Sequence, residues 1–169
     1  MDGQLIDLLL RWLHFFAGIV WIGHNYVGLV LVPRFLPYTP EQDKQEVLTS
    51  SYMGRVWREH AVFRYASIVT WVTGILMLWR QEQLVDALTL TGYEAPIGAG
   101  AWIGTIMVLN VWLVMWPHQK KVLGFVPAPL EERVRCSRIT FLSARTNTVL
   151  SIPLLYLMAA GPHALFPFD

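Results

Sequence analysis

Cysteine is almost missing from this chain: Cys136 is the single one in 169 residues. That excludes an intrachain disulfide, a cysteine zinc site and a CxxCH site for covalent heme attachment. Charge is scarce as well. Asp, Glu, Lys and Arg make up 15% of the residues and the formal net charge is +1, whereas soluble domains carry about 25% charged residues. A nucleic-acid binder needs a basic excess with interleaved aromatics, and neither is present, so nucleic acid is not an expected partner. The start, Met1-Asp2-Gly3, lacks a basic n-region, and no small-residue cleavage signal follows the first apolar run. That run is therefore expected to be a retained helix rather than a signal peptide. Internal repeats, low-complexity tracts and interdomain linkers are also missing.

Apolar residues are what the chain has in plenty, at 54% and a mean hydropathy of +0.42. A bilayer-crossing helix needs about 20 of them in succession. Four stretches qualify, at about 5–32, 61–79, 99–116 and 141–160. They predict an all-α integral membrane protein, a four-transmembrane-helix bundle forming a single membrane domain over 1–169. Pro33 is expected to end the first span and Pro117 the third, while Pro153 falls inside the fourth and should kink it. Residues 41–60 have helix-forming composition after Thr39-Pro40. Pro127-Ala128-Pro129 marks a turn before a second polar helix from about Leu130, and the stretch from Thr91 to Gly100 is expected to be a glycine-containing loop. The small-residue pairs Thr70/Gly74 and Gly100/Gly104 point to close helix packing.

Lys and Arg concentrate on the cytoplasmic side of membrane proteins. Here Arg34, Lys44, Arg55, Arg58 and Arg64 follow span one, and Lys120, Lys121, Arg133, Arg135, Arg138 and Arg145 follow span three, leaving only Arg11 and Arg80 of the thirteen. Both termini are therefore expected on the periplasmic or exterior side, and the protein in the inner membrane of a bacterium as a multi-pass chain.

Within the first span stand two histidines, His14 and His24, separated by roughly 15 Å along a helix. Ionisable groups at membrane depth are costly and face a partner, a cavity or a cofactor, and imidazole is a common heme-iron ligand. His60 begins the second span and His118 follows the third, so three of the five histidines share the level of His24. His24 with His60 or His118 is a reasonable axial pair for heme b, with His14 needing a second heme or another partner. Arg64 and Arg145 are candidates for heme propionates. Each has a plainer alternative: interfacial imidazoles for His60 and His118, tight polar contacts for His14 and His24, positive-inside anchoring for the arginines. Asn25, Asn110, Thr146 and Asn147 are expected to hydrogen-bond between helices. His163 in the terminal segment reads as solvated. Of the eight tryptophans, Trp12, Trp79, Trp102 and Trp116 fit an interfacial belt.

The run Arg11-Trp12-Leu13-His14 to Trp21-Ile22-Gly23, with Gly104 to Trp112, Pro117-His118-Gln119-Lys120-Lys121, Asn147 and Leu150 to Tyr156, resembles the membrane domain of the membrane-bound urate oxidase (urate hydroxylase) family. The opening run is also similar to the copper-resistance D proteins and the heme-binding protoporphyrinogen oxidases, the latter sharing Pro33-Arg34-Phe35. The resemblance implies that His14 is associated with heme. It also implies departures. Members of the urate oxidase family commonly carry a C-terminal cytochrome c domain, and no CxxCH occurs here; a histidine often found before Asn147 is Thr146; and other residues are usual where His24 and His118 stand. The function expected is thus a heme b-binding membrane cytochrome subunit, in preference to copper, that transfers electrons among lipids, a cytochrome c or other oxidoreductase subunits. The alternatives are a membrane-bound oxidase of urate or a porphyrinogen, and an accessory subunit without a cofactor.

Overall fold

A proline, not a change in hydropathy, sets the end of the first helix. In the computed structural model, which describes residues 3–37 and 50–160 with the side chains of 50–57 excepted, helix α1 runs unbroken over Gly3–Leu31. The Val32 amide still donates to the Gly28 carbonyl at 3.1 Å; Pro33 has no N–H with which to continue. Residues 41–49 and His163 lie outside the described residues.

Helix α2 spans Ser50–Arg80, so the polar segment before His60 and the second apolar stretch are one helix. A short helix, α3 at Leu84–Thr89, and a 3-10 turn at Gly92–Glu94 lead into α4 at Ala95–Leu109. The glycine-containing loop expected up to Gly100 is thus corrected: Pro96 occupies the first turn of α4, where its fixed φ is already helical and no N–H is needed. The third span does not end at Pro117 either. The helix widens to π pitch over Asn110–Met115, with the Trp116 amide reaching back to the Val111 carbonyl. Pro117 then falls in the first turn of α5, Trp116–Val122, and the chain stays helical to Val122. The polar helix from Leu130 and the fourth apolar stretch merge into α6, Leu130–Ala160, which passes through Pro153.

Helix α1 packs against α2 and α6, and α4 packs against the same two, which makes a four-membered antiparallel ring. Its core holds Trp21, Ile22, Phe63, Ala66, Met107, Val108, Val111, Met115 and Leu154. The outer face of α1 is apolar and bare, with Phe15, Ile19 and Val30 exposed by 65%, 70% and 77%. Three helical stretches are long and apolar enough to cross a membrane: Gly3–Leu31, Arg58–Arg80 and Gly92–Val122. Helix α6 is not among them, and the reason is its inner face. Ser137, Ser143, Asn147, Thr148 and Ser151 are all buried in the bundle, which lowers the mean hydropathy of a helix whose outer positions Val149, Ile152 and Leu155 are exposed and apolar.

Both ends of the ring are tied by charge. At one, the Arg80 Nε donates to Asp7 at 2.6 Å and its Nη2 to the Gly3 carbonyl at 3.3 Å. At the other, Lys121 meets Glu132 at 2.5 Å, Arg133 donates to the Val122 carbonyl at 3.0 Å, and Arg145 donates to the Gly28 and Val32 carbonyls at the end of α1. Glu132 lies outside the apolar stretches, and the adjoining ammonium holds its carboxyl below the usual carboxylate range.

A candidate two-histidine site beside a polar cavity

An amide network fixes α4 to α6. Asn110, the first residue of the π segment, donates through Nδ2 to the Asn147 Oδ1 at 2.8 Å and the Ser143 carbonyl at 3.0 Å, while Ser143 Oγ donates to Asn110 Oδ1 at 3.0 Å. Asn147 in turn donates to the Met107 carbonyl at 3.2 Å. The π pitch redirects the side chains beyond it, and such turns recur at functional sites. Below this network, toward the end rich in Lys and Arg, Met115 and Gln119 face inward.

Two imidazoles meet there. His24 of α1 and His60 of α2 have ring centroids 6.3 Å apart with planes at 72°; His24 also stacks on Phe63 at 4.4 Å. The Gln119 carboxamide lies 3.0 Å from His60 Nδ1. With its oxygen rather than its nitrogen turned to the ring, an assignment the network alone decides, it would accept from Nδ1–H and leave Nε2 as the lone-pair nitrogen. Beside His24 opens a cavity of about 220 Å³ whose wall includes Asn25, Phe63, Met115, Gln119, Phe141 and Arg145. Arg145 lies 4.7 Å over the Phe141 ring.

The other candidate residues stand apart from this pair. His14 presents Nδ1 to the Thr70 carbonyl at 2.8 Å and to Thr73 Oγ1 at 3.2 Å; a methyl on Gly74 would come within 3.1 Å of its ring, so the Thr70/Gly74 pair makes room for an imidazole. Thr73 Oγ1 donates to the Val69 carbonyl, which leaves it an acceptor toward Nδ1–H. His118 turns Nδ1 to the Val114 carbonyl of its own helix at 2.6 Å and does not line the cavity. Arg64 is buried, its guanidinium carbon 3.4 Å from the Trp116 ring centroid, a cation–π contact. Trp116 is therefore engaged with an arginine rather than standing as a belt residue. Thr146 is exposed. Sequence reasoning missed Gln119 and Met115 as inward residues, because the π pitch that aims them leaves no mark on an apolar pattern.

A family model described as urate oxidase N-terminal matches residues 66–167. The chain belongs to that family. No curated protein and no solved structure matches it. The urate oxidase N-terminal match takes in the amide network, Gln119 and Arg145, while His14, His24, His60 and Arg64 all precede it.

Whether residues of this family member suit heme b can be judged from the histidine pair. A metal–nitrogen bond of about 2.0–2.1 Å and about 1.1 Å from nitrogen to ring centre place two imidazoles on opposite sides of one ion with centroids roughly 6.3 Å apart. The observed spacing agrees, and iron in a porphyrin needs only two such donors. The cavity by itself, about 220 Å³, is below the roughly 300–1,000 Å³ of pockets for drug-sized ligands, so a macrocycle on this pair lies outside it. Among the described residues no group of three or more His, Cys, Asp or Glu forms a metal cluster, and a site of that kind has no support here.

Proposed function

We propose that this member of the urate oxidase N-terminal family is a four-span subunit of a bacterial inner membrane that holds heme b and carries electrons within a larger oxidoreductase assembly. The spacing of His24 and His60 supports this reading more than any other observation. Both termini face the periplasm in this arrangement, and the His24–His60 level lies toward the cytoplasm.

Heme iron supplies reversible one-electron transfer when bound. His24 and His60 supply the axial nitrogens from neighbouring helices, and Gln119 orients the His60 ring through Nδ1, as an outer partner does for a metal-bound histidine. Phe63 stacked on His24 and the apolar core around it exclude water. Arg145 gives the site a positive charge, as does Arg64 on the helix of His60. His14 is the other candidate ligand: donation from Nδ1 to the Thr70 carbonyl fixes the tautomer and leaves Nε2 for iron, the arrangement expected of a ligating histidine. A cytochrome c or a further oxidoreductase subunit completes the chain of carriers.

The test is a reduced-minus-oxidised spectrum of the purified chain with a pyridine hemochrome assay. Heme b is expected in the wild type, with its signal lost or shifted to high spin in His24→Ala and His60→Ala while membrane insertion persists. Loss confined to His14→Ala moves the site to His14; a chain without heme under reconstitution rejects the proposal. The family match favours a second reading, direct oxidation of urate. Urate consumption by the purified chain alone, with a quinone or cytochrome acceptor supplied, would establish it over the subunit reading.

A further inference from the structure

We propose that the cavity beside His24 is a binding site for a planar ring bearing carbonyl oxygens, which accept hydrogen bonds from Asn25 and Arg145. Asn25 carries the argument. It is 4% exposed, it lines the cavity, and its amide Nδ2 meets no acceptor among the described residues. Buried donors in folded proteins are almost always satisfied, so this N–H is matched to an acceptor that is not part of the chain.

The rest of the wall limits what that acceptor is attached to. No Asp or Glu lines the cavity, and Arg145 contributes a guanidinium, which together disfavour a cation and favour a neutral or anionic group. Phe63, Met115 and Phe141 supply apolar surface, which suits a ring better than a hydrated ion. Size narrows it further: a cavity of about 150 Å³ holds benzene, and the 220 Å³ here leaves space for a substituted single ring or a fused pair. Two sources share this chemistry, the head of a membrane quinone and a soluble oxidised purine such as urate. The site lies next to the proposed heme ligands but does not depend on heme, so it goes beyond the electron-carrier reading and can be tested on heme-free protein.

The experiment measures binding of decylubiquinone and of urate to the full chain in lipid nanodiscs, by calorimetry and by the shift in melting temperature, with heme absorbance recorded on the same samples. At least one probe is expected to bind the wild type and raise its melting temperature. Asn25→Leu removes the donor without leaving a buried polar group unmatched, so its own melting temperature is expected to stay level or rise while affinity falls tenfold or more. Ala144→Leu, which fills the cavity from α6, is expected to lose binding as well and serves if Asn25→Leu does not fold. Binding of quinone alone identifies the lipid as the source, and of urate alone the soluble ring. Absence of binding by both probes, or unchanged affinity in both variants, overturns the proposal whatever the heme content proves to be.

Discussion

Asn147 and Thr146 are neighbours in sequence with opposite situations. Asn147 is fully buried, accepting from Asn110 and donating to the Met107 carbonyl, whereas Thr146 faces outward. Interhelical hydrogen bonds in membranes average only about 0.6 kcal/mol, but truncating one partner strands another buried group at about 1–3 kcal/mol. The second effect governs here, because Asn110 and Met107 stay buried or half-buried in the core. Asn147→Ala is therefore expected to destabilise the detergent-solubilised protein by about 1–3 kcal/mol, and Thr146→Ala to stay within about 0.5 kcal/mol, as read from denaturant titrations. Equal effects would remove the amide network as the fastener between α4 and α6. Polar residues inside apolar runs were legible in the sequence as interior groups, and Asn110 and Asn147 are such groups. Their pairing was not, since it depends on which faces of two helices meet. Asn25 is the sharper case: its isolation is visible only once every neighbour is placed.

At the level of helices, proline and glycine behaved according to their surroundings. Pro33 ends α1 as its missing N–H requires, but Pro117 does not end a helix, because the π segment before it moves the proline to a first turn. Hydropathy patterns carry no sign of that shift. Glycines divide in a similar way. A Cβ at Gly98 would lie 1.8 Å from the Ala87 carbonyl oxygen, which is backbone and cannot rotate aside, so α3 can rest on α4 only over a glycine. At Gly23 the same atom meets nothing within 4 Å. Gly98→Ala is expected to cost about 1–3 kcal/mol through forced backbone movement, and Gly23→Ala to be neutral or stabilising by up to about 1 kcal/mol from helix propensity. Thermal denaturation of the two variants side by side measures the contrast. A neutral Gly98→Ala would mean that α3 is not docked where the structure has it. The Gly100/Gly104 pair does face α6, against Met158 and Leu154, as its spacing suggests.

Across the whole molecule, charge and depth are arranged along one axis. Four apolar stretches were readable because lipid-facing positions dominate composition, yet α6 falls short of a free-standing span, since so much of its polar surface is turned inward. Its place in the ring therefore rests on packing against α1 and α4. That makes topology the decisive measurement. Eleven of the thirteen basic residues lie in the segments after the first and third spans. Arg80, which stands at the other end, is neutralised by Asp7 and adds little to the bias. Lys121, Arg133 and Arg145 are gathered at one end of the bundle. If α6 crosses the bilayer, a reporter fused after Asp169 must be active in the periplasm, and cysteines introduced over 119–138 must resist impermeant reagents added from outside. If α6 instead lies along the inner surface, the same fusion is active in the cytoplasm. The ring would then lose one wall, and with it the Ser143–Asn110 and Asn147–Met107 contacts that hold the π segment in place. A cytoplasmic terminus together with full destabilisation by Asn147→Ala cannot both occur, so the two measurements check each other.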